Sequence, residues 1–469
     1  MFQAPLKTTE CVFWPLCLIT PVFVAMILAG CGRLPSRTPE EQSTASTTPM
    51  WPPQKSPPVT PTRASHDFSK ARIIDGSAAP VVQWPAASDT AEPAPVIEVS
   101  SSKELRWSAE FPIATTHDLA WSPDGEFLAV GGRLHTDKEL FHAPTLLYSQ
   151  NGTVVEELVT DYATGNGSGV SVSDLEWSID GTVLATAGGL NASATLFFPA
   201  DQRKLELTNI AISVHGVRWS PDGKYVILTT GDQDMYLYDA EGNRLTVVGR
   251  ASPTADSLAW NPDGTMLASS DPLGVMFWGL QENGSSEDSN KSVSLVPLVR
   301  VTLSSGKDIS ALTLEWNQDG SRLAVGAFDT GDVWLIDRDG TPVATLRGHT
   351  ESVWRTCFSA KGILATTSSD ATTRLWDQDG NPIAVLISAT REEEILIDVA
   401  AWSPDGEHLA VASPNDVIRI YSSSAVPLAN LRGHAGNIQA VSWHPSGRRL
   451  ASSDDKKVTH IWDLPAQLP

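Results

Sequence analysis

The sequence predicts an all-β chain in which eight copies of one small sheet stand around a common axis, behind a long non-globular arm. Three observations predict it: a recurring aromatic-plus-turn phrase, strand-length runs rich in β-branched and aromatic residues on either side of it, and a change of composition near residue 103. The phrase reads WSPDG at Trp121, WSIDG at Trp177, WSPDG at Trp219, WNPDG at Trp260, WNQDG at Trp316, FSAKG at Phe358, WSPDG at Trp402 and WHPSG at Trp443. Successive copies lie 56, 42, 41, 56, 42, 44 and 41 residues apart, so five of the seven steps share one period and two carry insertions. A unit this short cannot bury its faces alone and must stack on its neighbours.

The clearest copy runs from Gly348 to Asp377, GHTESVWRTCFSAKGILATTSSDATTRLWD. Its runs VWRTCF, GILATTS and TTRLW are strand-like, and the breaks SAKG and SSDA carry the Gly, Ser and Asp of turns. With Gly-His at the start and Trp-Asp at the end, it resembles the WD repeat, whose copies each form one blade of a β-propeller. The resemblance implies an eight-bladed propeller over 103–469. Seven blades and a stray hairpin remain the alternative. Each copy supplies three strands, and the fourth precedes the next copy, as ATLRGH (344–349) and LANLRGH (428–434) illustrate. The chain stops six residues after Trp462-Asp463, so the last blade lacks an outer strand of its own. The β-rich segment 103–111, KELRWSAEF, is expected to pair there and close the ring.

The turns agree with this layout. SPDG-type phrases sit between first and second strands, and SQNG, DAEG, DRDG and DQDG follow third strands, each with a Gly able to take a positive φ. Asp337-Arg338-Asp339-Gly340 and Asp377-Gln378-Asp379-Gly380 lack the further acids of a calcium loop and are read as turns. No metal and no cofactor is expected.

Residues 11–30, CVFWPLCLITPVFVAMILAG, form an uncharged apolar run broken by Pro15 and Pro21, short for a spanning helix and suited to a signal peptide over 1–30. Its end, Leu28-Ala29-Gly30-Cys31, resembles the lipobox of bacterial lipoproteins, which implies lipidation of Cys31 and a lipid-anchored protein outside the cytoplasm. An uncleaved signal anchor is the alternative. Residues 31–102 are dominated by Pro, Ser, Thr and Ala without periodicity and are expected to be a disordered tether, roughly 45 Å end to end as a coil. Trp51 and Trp84 lie in it as isolated aromatics. Of four cysteines only Cys357 would remain unmodified in the mature chain, so no disulfide framework is available. The formal net charge is −22, all but one unit of it in the repeat region, and no basic stripe suits nucleic acid or an anionic membrane face.

WD blades are often braced by a buried His, Ser or Thr, Asp and Trp. Carried over, the resemblance assigns His349, Thr366, Asp370 and Trp376 to the sixth repeat. The eighth has His434, Ser452 and Trp462, with Lys456 where the acid belongs and Asp455 beside it. Such a His is committed to structure and is not free as a base. No catalytic residue is assigned.

Propellers of this family bind partners mainly through the top face. Counting four back from each aromatic gives His117, Ser173, His215, Asp256, Leu312, Trp354, Asp398 and Gln439 as a ring at the channel mouth, with Trp354 beside Arg355 the candidate hot spot. The insertions at 133–145, 160–169 and 388–394 fall among top loops, and 279–292 at the bottom. The reading is a monomeric, non-enzymatic scaffold for a protein or peptide partner. A quinoprotein- or lactonase-like propeller and an envelope assembly factor remain as alternatives. Phrases such as RLWDQDGNPIAVL also resemble expanded repeat proteins of cyanobacteria and filamentous green bacteria.

Overall fold

The computed structural model describes residues 71–77, 79–84, 97–100 and 103–106, then 113–465 apart from 135–141, 162–171, 189–193, 208–209, 211–212, 250–257, 284–291, 304–310, 388–398, 414–416, 329 and 457. Among them every regular element is a β-strand. The strands form eight sheets, so the seven-bladed alternative falls away. Blade one spans Ile113–Asp161, blade two Val172–Leu207, blade three Val214–Gly249 and blade four Leu258–Thr302. Blade five spans Ala311–Arg347, blade six Val353–Ile387, blade seven Ala400–Arg432 and blade eight Ile438–Asp463. Strands follow one another antiparallel from the inner to the outer edge, which is what short hairpin turns allow.

Blade eight has three strands of its own. Its fourth is Lys103–Arg106, antiparallel to Val458–Asp463 with Leu105 opposite Thr459. The ring is thus closed by chain from before blade one, and the outer edge of the last sheet is covered.

The expected boundary of the tether needs correction. Three short strands inside 31–102 add to outer edges as parallel fifth strands: Arg72–Asp75 on blade four, Val81–Gln83 on blade five and Ile97–Ser100 on blade seven. They share one register. Ile74, Val82 and Val99 lie opposite Val301, Leu346 and Leu431, one apolar residue per strand. Runs of three or four residues, held by main-chain pairing, an apolar contact and, through Arg72 and Glu98, bonds to Asp339, Asn430 and Arg432, leave no periodic signal in a Pro- and Ser-rich background. Trp84 continues the strand on blade five. Its amide donates to Arg347 O at 2.8 Å, its ring meets Trp376 edge-on at 4.7 Å, and the Arg374 guanidinium lies over its face at 4.8 Å.

Two insertions are also shorter than expected. In blade four the strands Gly274–Asn283 and Ser292–Thr302 extend the hairpin through most of the expected bottom loop, leaving only 284–291 outside the described residues. In blade one the strands reach Leu134 and resume at His142. The insertions at 162–169 and 388–394 lie outside the described residues.

The core is divided among the blade interfaces. Leu119, Trp121 and Leu128 of blade one pack with Ala440, Ala451 and Ile461 of blade eight, and equivalent clusters fill the other gaps. Each cluster is crossed by the aromatic that marks the repeat. The indole Nε1 of Trp177, Trp219, Trp316, Trp402 and Trp443 donates to the carbonyl of Ala120, Glu176, Ala259, Cys357 and Ala401, at 2.9 to 3.2 Å. In each case the acceptor is the residue just before the preceding blade's own aromatic. Phe358 has no such donor, and Trp121 and Trp260 hold a buried Nε1 without a hydrogen-bond partner.

The adjoining turns hold themselves together. Ser122 donates to Asp124 at 2.6 Å, while Ser122 and Asp124 accept the amides of Phe127 and Glu126, and Ser178, Ser220 and Ser403 repeat the pattern. Between blades eight and one the turns touch: His444 Nε2–H donates to Gly125 O at 3.1 Å and its ring meets Trp121 edge-on at 4.8 Å. Gly125 has φ 76° and any Cβ there would strike His444, so glycine is required.

Two predictions follow from these interfaces. Trp443→Phe leaves Ala401 O without its donor and should cost about 1–2 kcal/mol more in urea unfolding than Trp260→Phe, which removes similar volume but no bond. Equal losses would mean the indole bond contributes nothing. Deleting 103–106 uncovers the edge of blade eight and should cost more than about 3 kcal/mol, with a clear drop in melting temperature; an unchanged melting temperature would refute closure by this strand.

Candidate recognition face

Six of the eight expected mouth residues share one backbone feature. Inner-strand register slips by one residue around His117, Ser173, His215, Leu312, Trp354 and Gln439, so each stands as the extra residue of a β-bulge. Asp256 and Asp398 lie outside the described residues, and His117 and Leu312 are described in backbone. A bulge takes one residue out of the ladder and re-aims its side chain, which is why bulges gather at rims and binding sites. Ser173, His215, Trp354 and Gln439 are half-buried. Each of these six thus escapes the alternation that governs the rest of its strand.

Trp354 is the largest of them. Its Nε1 donates to Ser369 Oγ at 2.5 Å, and its ring meets Phe328 of blade five edge-on at 5.4 Å. Trp354 and Phe328 are both half-buried, forming an aromatic step across the junction of blades five and six, with Arg355 exposed beside it. His215 bonds Ser213 Oγ through Nε2 at 2.9 Å, and burial lowers its pKa. Gln439 donates to Asn437 O at 3.4 Å. These groups can offer stacking and polar contacts to a partner. Among the described residues no three His, Cys, Asp or Glu are grouped to hold a metal ion.

The residue after the bulge has a second task. Asp118 Oδ2 accepts the amide of Leu175 at 2.9 Å, Asp174 Oδ2 that of Val217 at 2.8 Å, and Thr313 Oγ1 that of Thr356 at 3.2 Å, each across to the next blade. Glu176 and Glu315, each just before a repeat Trp, accept the amides of Trp219 and Phe358 at 2.7 and 3.2 Å. Blades one to three thus hold Asp118, Asp174 and Glu176 close together, with Arg218 bound to Asp174 at 2.6 Å as the neighbouring cation. Burial, reinforced by the Asp174 charge, pushes Asp118 up to about 7 against its amide bonds and Arg218. Burial also pushes Glu176 up to about 7, opposed by Arg218 and the Trp219 amide. Sequence reasoning missed these clamps. The signal was present in DLEW and TLEW, where an acid interrupts an otherwise buried strand.

The bracing residues assigned to blade six meet. His349 Nδ1–H donates to Asp370 at 3.0 Å, Thr366 Oγ1 lies 2.8 Å from His349 Nε2, and Trp376 Nε1 donates to Thr366 at 3.0 Å. Burial holds His349 below its usual pKa, so the imidazole is neutral and both ring nitrogens are committed. Burial alone would raise the Asp370 carboxyl, but hydrogen bonds from His349, Thr372 and the Thr350 amide outweigh it and hold it well below the carboxylate range. Blade eight corrects the expectation at its acid. Asp454, at the end of the second strand, bonds His434 at 2.9 Å, while Ser452 bridges His434 and Trp462 at 2.6 and 2.7 Å. Asp455 instead bonds the Asn437 backbone, and Lys456 donates its amide to Asp454. The acid reaches the imidazole from the strand rather than from the turn beyond it. Blade four keeps half a brace, Trp278 to Ser269 at 2.9 Å, in a repeat that lacks the Trp-Asp ending. Cys357 is buried with its thiol pKa pushed up, a structural residue.

Comparison with known proteins bears on these blades. The WD domain, G-beta repeat model matches residues 208–239, 340–377 and 425–463, which cover blades three, six and eight. Three of the eight blades carry WD40 repeats. The chain is 29% identical over 141 residues to THO complex subunit 3 of Arabidopsis thaliana, covering 29% of this chain and 44% of that protein. It is 26% identical over 197 residues to the F-box-like/WD repeat-containing protein TBL1X of Mus musculus, covering 41% of this chain and 36% of that protein. The chain thus spans less than half the length of these relatives. The C-terminal WD40 domain of Sif2 superposes with a TM-score of 0.61 at 18% identity, over 80% of this chain and 100% of that one, a likeness of fold. Two of the matched blades, six and eight, hold the complete WD40 braces.

The clamps and braces predict different responses. Asp454→Ala leaves buried His434 and the amides of Lys456 and Val458 unpaired and should cost about 2–4 kcal/mol in urea unfolding, against under roughly 1 for Asp455→Ala. With Asp118 and Glu176 raised, the folded state binds protons that the unfolded chain releases, so stability falls as pH rises from about 4 through about 7. Asp118→Asn keeps an acceptor for Leu175 and removes that loss. It should gain about 1–3 kcal/mol over wild type at pH 8 and nothing at pH 4. A gain independent of pH would remove the titration from the account.

Proposed function

We propose that the protein is a non-enzymatic WD40 scaffold, held outside the cytoplasm by a lipid on Cys31, that binds a protein or peptide across the mouth of the propeller at blades five and six. The aromatic step of Trp354 on Phe328, lifted from its ladder by a bulge and flanked by exposed Arg355, carries this reading. Aromatic and Arg side chains that are partly exposed on a rigid support suit interface hot spots. The commitment of both nitrogens of His349 and His434 supports a binding rather than an acid-base role. One relative bears the name of a subunit of a complex, which favours a role in assembly. The anchor rests on the sequence at Leu28–Cys31, outside the described residues.

Capture from the native envelope tests the site. A partner recovered with wild type should be lost with the Trp354→Ala, Arg355→Ala double variant, whose folding is checked by its melting temperature. A partner retained by a folded variant would move the site elsewhere. Cys31→Ser should release the protein from the membrane fraction; equal retention and processing would overturn the lipid anchor.

A further inference from the structure

Blade six stands out at its outer edge. Blades four, five and seven each carry a parallel fifth strand from the N-terminal segment, and blade eight takes its closing strand from the same segment. Among the described residues, blade six ends at Pro382–Ile387 with nothing paired outside it. Its outer strand copies those of its neighbours. Pro382, Ala384, Val385 and Leu386 pair with the third strand as Pro342, Ala344, Thr345 and Leu346 do in blade five, including the bulge after the Pro. Thr345 N–H donates outward to Pro80 O at 2.7 Å, and Val385 holds the corresponding place. The covered Thr345 is 5% exposed, whereas Val385 is half-buried and Ile383 is 42% exposed.

The other uncovered edges are protected in ways that blade six is not. Blade one's edge strand carries Glu156 and Glu157, and blade two's carries Arg203, Lys204 and Glu206, two or more charges each against the single Arg on every outer strand that has accepted a parallel fifth strand. Blade three's outer strand lies against the long Ser292–Thr302 strand of blade four. The edge PIAVLI of blade six is uncharged and apolar, with Ile383 exposed and Pro382, Ala384 and Val385 half-buried, between two neighbours that have accepted a strand.

We infer that the outer edge of blade six is a strand-acceptor site, which takes an extended, uncharged segment of a partner protein as a parallel fifth strand. The chain itself supplies the mode. Three added strands in one register, each placing Ile or Val against the Val301, Leu346 or Leu431 position, define a ligand with one β-branched residue opposite Leu386. Main-chain pairing supplies the affinity and that one apolar contact the register. The chain's own link between the flanking strands, residues 85–96, reads PAASDTAEPAPV. Its three prolines, two acids and lack of an Ile or Val before Val96 make it a poor match to that ligand. This surface is separate from the mouth ring.

The probe is a fluorescein-labelled peptide of residues 79–85, Ala-Pro-Val-Val-Gln-Trp-Pro, titrated with the full chain and followed by fluorescence anisotropy. Saturable binding is expected, unaffected by Trp354→Ala. Val385→Pro removes the outward amide and should weaken binding roughly tenfold. Ile383→Lys adds a charge at an exposed position and tests the same edge should the proline variant misfold; it should weaken binding several-fold. N-methylation of the peptide at the amide equivalent to Trp84, which donates to Arg347 O in blade five, should also abolish binding. Absence of saturable binding, or equal affinity in both edge variants, would overturn the inference. A dimer that forms with concentration and is lost in Ile383→Lys would instead seat a second copy there. Binding that emerges only when 85–96 are replaced by Gly and Ser would give the edge to the chain's own segment. Either result also overturns it.

Discussion

The hydrogen bond from a repeat tryptophan to the carbonyl of the preceding blade is the interaction on which the arrangement depends. An inner strand has only one neighbour in its own sheet, so its other side must be satisfied across a blade boundary or left to the channel. The indole lies at the junction of the inner strand and a turn that is already held by its own polar side chains, Ser and Asp after Trp177, Trp219 and Trp402. Its donor therefore reaches a fixed point on the preceding sheet and sets the angle between the two. Five such bonds turn a stack of independent sheets into a ring. Where the donor is missing at Phe358, Glu315 bonds the Phe358 amide. At the junction of blades eight and one, His444 reaches Gly125.

The bulges answer a second demand of the same geometry. Below the bulge the inner strand must alternate side chains between its two neighbouring blades. Above it the chain has arrived from another blade and must start elsewhere. One extra residue absorbs the difference, which leaves the next residue free to accept an amide from the following blade, as Asp118, Asp174 and Thr313 do. The bulged rim residue and the clamp between blades are thus adjacent in sequence. A partner gripping Trp354 would press on a residue whose successor stands next to an inter-blade contact. The acids among these clamps make the junctions of blades one to three responsive to pH.

Much of this was legible in the sequence because the repeat writes the same physics eight times. The aromatic, the turn and a closing strand within 103–111 could be read from spacing, and six of the eight residues found by counting four back from the aromatic stand at bulges, Asp256 and Asp398 lying outside the described residues. What could not be read was pairing that uses backbone rather than pattern. Arg72–Asp75, Val81–Gln83 and Ile97–Ser100 are too short to show a period, and each relies on an edge that only the folded ring presents. The acid of blade eight was misplaced for a related reason. Asp454 and Asp455 are adjacent, and only the folded strand shows that Asp454 faces His434 while Asp455 bonds Asn437.

The added strands give a physical account of how the ring tolerates its outer edges. A propeller removes exposed edges at its centre but leaves one at the rim of every blade, and each rim strand is a template for aggregation unless it is charged, covered or paired. Here charges guard blades one and two, the extended hairpin of blade four lies beside blade three, and the N-terminal segment pairs with blades four, five, seven and eight. The segment does this with a few residues per blade, so each attachment is weak and the whole depends on consecutive engagement along one chain. Trp84 ties that attachment to two blades, since its ring is gripped by Arg374 and Trp376 of blade six while its amide pairs with blade five. The same side chain that secures the segment therefore stands at the border of an outer edge that, among the described residues, carries neither a charge nor an added strand.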